Sequence, residues 1–213
     1  KKRDHRRLGV ELDLFTFSDL VGAGLPLWTP KGTIMRNALD ECVWQLRKER
    51  GYEKVTIPHI TKRDLYEISG HWQKFKNDLF HAQSREGHEF ALKPMNCPHH
   101  TQIYNRKQWS YRELPQRYAN TTMVYRDEQS GELAGLSRVR SITQDDAHVF
   151  CRFSQIKEEF GAIWDKVVEP FYKSFGFELS LRLSLHDPKN PKNYLGGKDQ
   201  WKQAEQMLRE LAN

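Results

Sequence analysis

The stretch that decides the fold is TMVYRDEQSGELAGLSRVRSITQDDAHVFC, Thr122 to Cys151. It reads as strand, loop, strand, with the loop centred on Gln129 to Gly135, where Gly131 and Gly135 supply turn flexibility. Side chains alternate across a strand, so Arg126 and Glu128 share a face. On the returning strand Arg138, Arg140, Ile142, Gln144, Asp146 and His148 share one face in the absence of a bulge, and all but Ile142 are polar or ionisable. The other face carries Val139, Ser141, Thr143, Asp145, Ala147 and Val149. Alternating polar residues usually mark a solvent-facing sheet. This face, however, mixes cations, an amide, a carboxylate and an imidazole, a set that suits a phosphorylated and zwitterionic ligand. An arginine pair beside a Glu can clamp phosphates and read a base edge.

Working outward, apolar Ile34, Met35, Ala38, Leu39, Cys42, Val43 and Leu46 recur at helical spacing from Ile34 to Arg50, and Gly51 is a natural stop. Tyr52 to Ile57 is rich in strand formers and runs into Pro58, which belongs at a strand end. Thr61 to Ser69 reads as a short helix capped by Thr61 and ended by Gly70. Pro98 fits the first turn of a helix running toward Asn105, with Cys97 at its start. A broad apolar stripe from Ser154 to Phe175 predicts a helix kinked at Pro170. Phe177 to Leu185 alternates strictly and reads as a half-buried strand, and 187–197 reads as a loop. Strands separated by helices and hairpin-like turns predict an α+β fold with a largely antiparallel sheet flanked by helices.

At 213 residues, 38% of them hydrophobic and 12% aromatic, the chain can bury a real core and is not a disordered tail. Its net charge of +6 is compatible with nucleotide or nucleic-acid partners without requiring them. Cys42, Cys97 and Cys151 are too few for a disulfide framework and suit a reducing, cytoplasmic compartment. No apolar run approaches the roughly 18 residues of a membrane span. Cys97, His99 and His100 lie together, with His148 and Cys151 some way on. Thiolate and imidazole are preferred zinc ligands, but the spacing matches no compact zinc finger. Read from the residues alone, a buried thiol and ordinary helix histidines stand beside the metal reading.

KPMNCPHH (Lys93 to His100), YRDE (Tyr125 to Glu128) and RVRSITQDDAHVFC (Arg138 to Cys151) together resemble the catalytic core of threonyl-tRNA synthetases. RDHRRLG (Arg3 to Gly9) and SGHW (Ser69 to Trp72) extend the similarity over nearly the whole chain. The resemblance implies the class II synthetase fold over 1–213, with residues 1–32 as a lead-in. It implies a homodimer built on helix 34–50 and the strand ending at Pro58. Arg126 would contact the ATP α-phosphate, Glu128 the adenine amino group and Arg138 a phosphate, with Ile142 beside the base. Met95, Gln144 and Asp146 would surround threonine, and Cys97 and His148 would supply two of three zinc ligands. The implied reaction is ATP-dependent activation of threonine, with Mg2+, and transfer to tRNA(Thr).

Three departures qualify the match. His99 stands where the family usually has Gly, and at a helix start its side chain is expected to point outward. Ile142 replaces an aromatic that stacks on adenine. Nothing here matches the family's third zinc ligand, its third motif, or its editing and anticodon-binding domains, so the expectation is an incomplete core whose activity alone is in doubt. Two other readings compete. One is a class II synthetase for serine or proline; the other is a non-catalytic module that binds RNA or a partner.

Overall fold

The structure, a computed structural model, describes residues 2–190, 194 and 196–212. They divide into two units, the first ending at Phe150 and the second beginning at Cys151.

In the first unit, helix α1 (His5–Glu11) is capped by Asp4, whose carboxylate accepts the Arg6 N–H. Strands β1 (Phe15–Thr16) and β2 (Leu27–Trp28) pair antiparallel. Helix α2 (Pro30–Lys48) starts four residues before the apolar pattern does. Thr29 caps the Gly32 amide, and Pro30 sits in the first turn, where its missing N–H costs nothing. A Cβ on Gly32 would stand 1.8 Å from the Leu14 carbonyl oxygen, so only glycine lets the helix press on this backbone. Gly51, at φ 74°, ends the helical segment as expected. The apolar stripe of α2 is largely uncovered, with Ile34 69% exposed.

The strand expected over Tyr52 to Ile57 shortens to β3 (Glu53–Lys54), which runs parallel to a later strand. Then come β4 (Ile60–Lys62), α3 (Arg63–Ile68), α4 (His71–Lys74), β5 (His81–Gln83) and β6 (Glu89–Leu92). The three strands form an antiparallel sheet in the order β4-β6-β5. Thr61 is therefore no helix cap: it lies in mid-strand opposite Ala91, and α3 begins at Arg63 without a side-chain cap. Tyr66, Trp72, Leu79 and Ala91 form a buried cluster between these elements.

Helix α5 (Cys97–Tyr104) has Pro98 in its first turn. The central hairpin follows: β7 (Gln116–Tyr125) and β8 (Ser141–Phe150), antiparallel without a bulge from Gln116↔Phe150 to Tyr125↔Ser141. Its sheet order is β3-β7-β8. Among the described residues only β3 and β7 pair in parallel, which fits the expected largely antiparallel α+β architecture. The unbroken register puts Ile142, Gln144, Asp146 and His148 on one face, opposite Val124, Thr122, Asn120 and Tyr118.

In the second unit, the helix expected from Ser154 to Phe175 is α6 (Ile156–Ile163), a π-helical turn (Trp164–Val168) and α7 (Glu169–Ser174). Pro170 has no N–H for the carbonyl one turn back, and the helix accommodates this by widening just before it rather than by a simple kink. Phe177 to Leu185 is not a strand here. Phe177 and Leu181 are 59% and 53% exposed, and among the described residues no partner strand takes up the backbone groups that a strand must pair. Helix α8 (Lys198–Ala212) receives the preceding segment through Glu205, which accepts the His186 N–H at 2.9 Å, while His186 stacks on Trp201. The loop expected over 187–197 falls partly outside the described residues. No helix among the described residues is long and apolar enough to cross a membrane.

Candidate active site

A cleft of about 480 Å³ opens where the β7–β8 loop leaves the sheet, lined by Phe75, Met95, Arg126, Glu128, Gln129 and Arg138 among others. The Arg126 N–H donates to the Arg140 carbonyl at 3.0 Å, carrying the ladder one step past the end of β7. The chain then returns through Gly135, at φ 52°, and an isolated bridge between Ala134 and Arg138. This places Arg126, Glu128, Arg138 and Met95, four of the residues expected at the site, around one space.

The two arginines of that cleft are in different electrostatic situations. Arg138 donates through Nε and Nη2 to Glu128 Oε2 at 2.8 and 2.7 Å, and its Nη2 also lies 3.0 Å from Glu132. Any phosphate it meets must exchange for these carboxylates. Arg126 makes no ion pair among the described residues, so its charge is available to an anion. Arg140, expected on the shared polar face, instead ties the loop down. Its Nε donates to the Glu128 carbonyl and its Nη1 to the Ala23 carbonyl, and its N–H reaches the Gly24 carbonyl. Arg138 and Arg140 both precede β8, so strand alternation does not govern them.

Ile142, Gln144, Asp146, Cys97 and His148 do not line that cleft. Their side of β8 faces the Lys93–His100 segment. Asn96, fully buried, donates through Nδ2 to Asp146 Oδ2 at 3.0 Å. Lys93, also fully buried, donates to Thr122 Oγ1 at 2.9 Å; burial pushes its ammonium down to about 8 against an upward pull from Asp146. His148 Nδ1 meets His100 Nδ1 at 2.9 Å. The Gln144 Oε1 and Asn96 Oδ1 oxygens are buried with no hydrogen-bond partner. Two orphaned acceptors with a carboxylate suit a ligand that brings donors, such as an ammonium or a hydroxyl. Consecutive residues join the two regions: Met95 lines the cleft while Asn96 holds Asp146.

The opposite face of β8 is tied to α2. Arg47 pairs with Asp145 at 2.7 Å and donates to the Asp146 carbonyl at 2.9 Å. Of Arg47, Asn96, Lys93 and His100, only His100 stands out in the sequence, among the thiols and imidazoles that admit a metal reading. Three of the four belong to the KPMNCPHH string, whose density of polar types in so short a run was the signal available; Arg47 carried none.

Burial first, and the Asp146 charge second, push the Cys97 thiol up, while burial pushes His148 down. A bound cation would reverse the effect on the thiol, and His148 makes its one hydrogen bond through Nδ1, so both are suited to act as donors to a metal. Among the described residues no group of three His, Cys, Asp or Glu side chains is placed to hold an ion. His99 departs from its expected outward orientation: it is buried, its ring against Tyr66 and its Nε2 against the Thr61 hydroxyl, and burial pushes it down to about 4.

On this α+β core the cleft brings two guanidinium groups, Arg126 and Arg138, together with the carboxylates of Asp78, Asp127, Glu128 and Glu132. Residues 75–207 match the family described as tRNA synthetase class II core domain (G, H, P, S and T), and the chain belongs to that family. Within it, the curated relatives that share half of the residues are threonine–tRNA ligases. That of Flavobacterium psychrophilum is 51% identical over 211 residues, covering 98% of this chain and 32% of the relative. A crystal structure titled as the RNA binding domain of threonyl-tRNA synthetase from Cryptosporidium parvum Iowa II superposes with a TM-score of 0.89 at 40% identity, over 98% of this chain and 51% of that one. Giardia lamblia prolyl-tRNA synthetase in complex with prolyl-adenylate shares the fold, with a TM-score of 0.71 at 19% identity over 79% of this chain and 35% of that one. The chain spans about a third of the length of the curated relatives it matches.

Proposed function

We propose that the chain forms the ATP- and threonine-binding core of a threonine–tRNA ligase. A threonine carboxylate oxygen attacks the ATP α-phosphorus, the bond to the β-phosphate breaks, and pyrophosphate leaves with the electron pair; a hydroxyl at the tRNA(Thr) 3′ end then takes the threonyl group, and AMP leaves. In such chemistry the protein chiefly positions groups and neutralises charge. Arg126 neutralises charge at the α-phosphate, Glu128 accepts from the adenine amino group, and Arg138 takes a phosphate in exchange for its carboxylates, with Mg2+ accompanying ATP. Ile142 supplies apolar contact to the base without a π surface. Met95, Gln144 and Asp146 bound the threonine, and the orphaned Gln144 oxygen is an acceptor for its donors.

Cys97 and His148 would hold a zinc ion as two of its three protein ligands. Zinc there would supply a Lewis-acidic site for the amine and the hydroxyl of threonine; valine lacks the hydroxyl, and an apolar pocket would separate the two amino acids only about a hundredfold. The exposed Ile34, Met35 and Leu39 on α2, with β3 beside it, support pairing of two copies through that face. A cytoplasmic location accords with a cysteine content too low for a disulfide framework.

The observation that carries this reading is Arg126, without an ion pair among the described residues, beside Glu128 in a cleft whose Met95 adjoins the Asn96–Asp146 contact. The test is amino-acid-dependent ATP–pyrophosphate exchange by the protein, with Arg126→Ala as control. Threonine-dependent exchange that falls by about a hundredfold or more in the variant is expected. Exchange driven instead by proline or serine would assign the core to another member of the family, and absence of ATP binding would make it a non-catalytic module.

A further inference from the structure

Behind the proposed ligand His148 stands a chain of side chains with no part in the chemistry above. His148 on β8 and His100 on α5 meet nitrogen to nitrogen, Nδ1 to Nδ1, at 2.9 Å. On its far side His100 Nε2 lies 3.1 Å from Oδ1 of Asn120 on β7, and His100 is fully buried. The two rings are nearly perpendicular, with centroids 4.8 Å apart. Asn120 sits opposite Asp146 in the ladder, two positions from the Tyr118↔His148 pair, so Asn120 and His148 share one face of the hairpin, and His100 reaches both from α5.

A neutral imidazole carries one N–H and one lone pair. In this orientation the Asn120 carboxamide oxygen can only accept, so His100 Nε2 donates to it. His100 then offers a lone pair at Nδ1, and the proton between the two rings must sit on His148 Nδ1. That leaves His148 Nε2 bare, as a metal ligand requires. With the carboxamide reversed, every proton in the chain would move over by one nitrogen, and His148 Nε2 would carry hydrogen.

We propose that Asn120 and His100 are positioning residues that lock His148 in its Nδ1–H tautomer, presenting Nε2 to a metal. This rests on the reading of His148 as a zinc ligand, but the lock can be measured without any metal. His100 entered the sequence reading only as one of several candidate metal ligands, 48 residues from His148, and Asn120 shows no feature in the sequence that sets it aside.

The experiment is long-range proton–nitrogen correlation NMR of the histidine rings in the 15N-histidine-labelled chain, kept metal-free with chelator. His148 is assigned by the signal lost in His148→Gln. The expected result is a protonated Nδ1 and a bare Nε2 on His148 in the unsubstituted chain. Release into a mixture containing the Nε2–H form is expected in Asn120→Leu and in His100→Leu. Zinc is then titrated after chelator removal. It should move the His148 Nε2 resonance only when Cys97 is present, and the two variants should need at least about tenfold more zinc for the same shift. A His148 ring carrying hydrogen on Nε2 in the unsubstituted chain overturns the lock, and that measurement depends on no variant folding. Equal zinc response in all three chains also overturns it. A locked Nδ1–H tautomer whose Nε2 ignores zinc overturns the metal reading instead, and with it the purpose assigned to the lock.

Discussion

Replacing Lys93 with methionine removes a cation that the fold holds against its own preference. The side chain is fully buried, its ammonium donates to Thr122 Oγ1, and it makes no ion pair among the described residues. Burial lowers its pKa from 10.5 to about 8, with Asp146 pulling the other way. In the unfolded chain the ammonium returns to its ordinary value. Below pH 8 both states are protonated and the folded chain bears the whole cost of the buried charge. Between about pH 8 and 10.5 the folded state gives up its proton first, the unfolded state binds more protons, and stability rises with pH. A gap of about 2.5 pH units, at 1.36 kcal/mol each, amounts to about 3 kcal/mol. Lys93→Met keeps an unbranched apolar stem and lacks the titration. Urea unfolding of both chains from pH 7 to 10.5 isolates this effect, because every other titration cancels in the difference. The unsubstituted chain should gain about 3 kcal/mol relative to the variant across that window, and the variant should be at least as stable at pH 7. A difference that stays flat over the whole range refutes the reasoning.

Asn96→Ala strips Asp146 of its donor within a buried contact and should cost about 1–3 kcal/mol in urea unfolding, with threonine affinity falling alongside. Arg47→Met leaves Asp145 unpaired although its partner was only 11% exposed; a loss of about 3 kcal/mol is expected by thermal or urea unfolding. Gly32→Ala should fail to give soluble, cooperatively melting protein, because its Cβ would overlap the Leu14 carbonyl. Gly131→Ala, with nothing within 4 Å, should melt within about 2 °C of the unsubstituted chain.

The parts of the fold that were legible in the sequence are those whose determinants lie within one element. The β7–β8 hairpin follows from alternation and a glycine-bearing loop, and its unbroken register made the shared face of Ile142, Gln144, Asp146 and His148 readable in advance. Pro98 marked the start of α5 for an equally local reason, the tolerance of a helix's first turn for a missing N–H. Where the pattern depends on a neighbour, it misled. Thr61 looks like a cap, yet β6 pairs with it and draws it into a strand. Phe177 to Leu185 alternates as cleanly as β8 does, but alternation supplies only a face; with no strand alongside among the described residues, the backbone groups have no ladder to join there.

The same division runs through the site. Arg126 and Glu128 flank one residue of a single run, so their common direction needed no tertiary information, and both line the cleft. Arg138 and Arg140 seemed to extend the β8 pattern, but they precede the strand, and the loop turns one toward Glu128 and the other toward the carbonyl of Ala23. His99 shows the limit most sharply. A residue at a helix start faces outward only if nothing covers that start, and here β4 and α3 bring Thr61 and Tyr66 over it. What the sequence could not disclose was therefore the pairing of one element's face with another's. Asn96 with Asp146, Arg47 with Asp145 and His100 with His148 are all pairs of this kind. Each joins a helix or loop to β8, and each confines a side chain of that strand to one orientation. A binding surface written along a strand becomes a defined site only when such partners fix its rotamers. Substitutions at Asn96, Arg47 and His100 should therefore disturb the positioning of β8 side chains, even though Asn96 and Arg47 were not visible as site residues in the linear pattern and His100 was visible only as a candidate metal ligand.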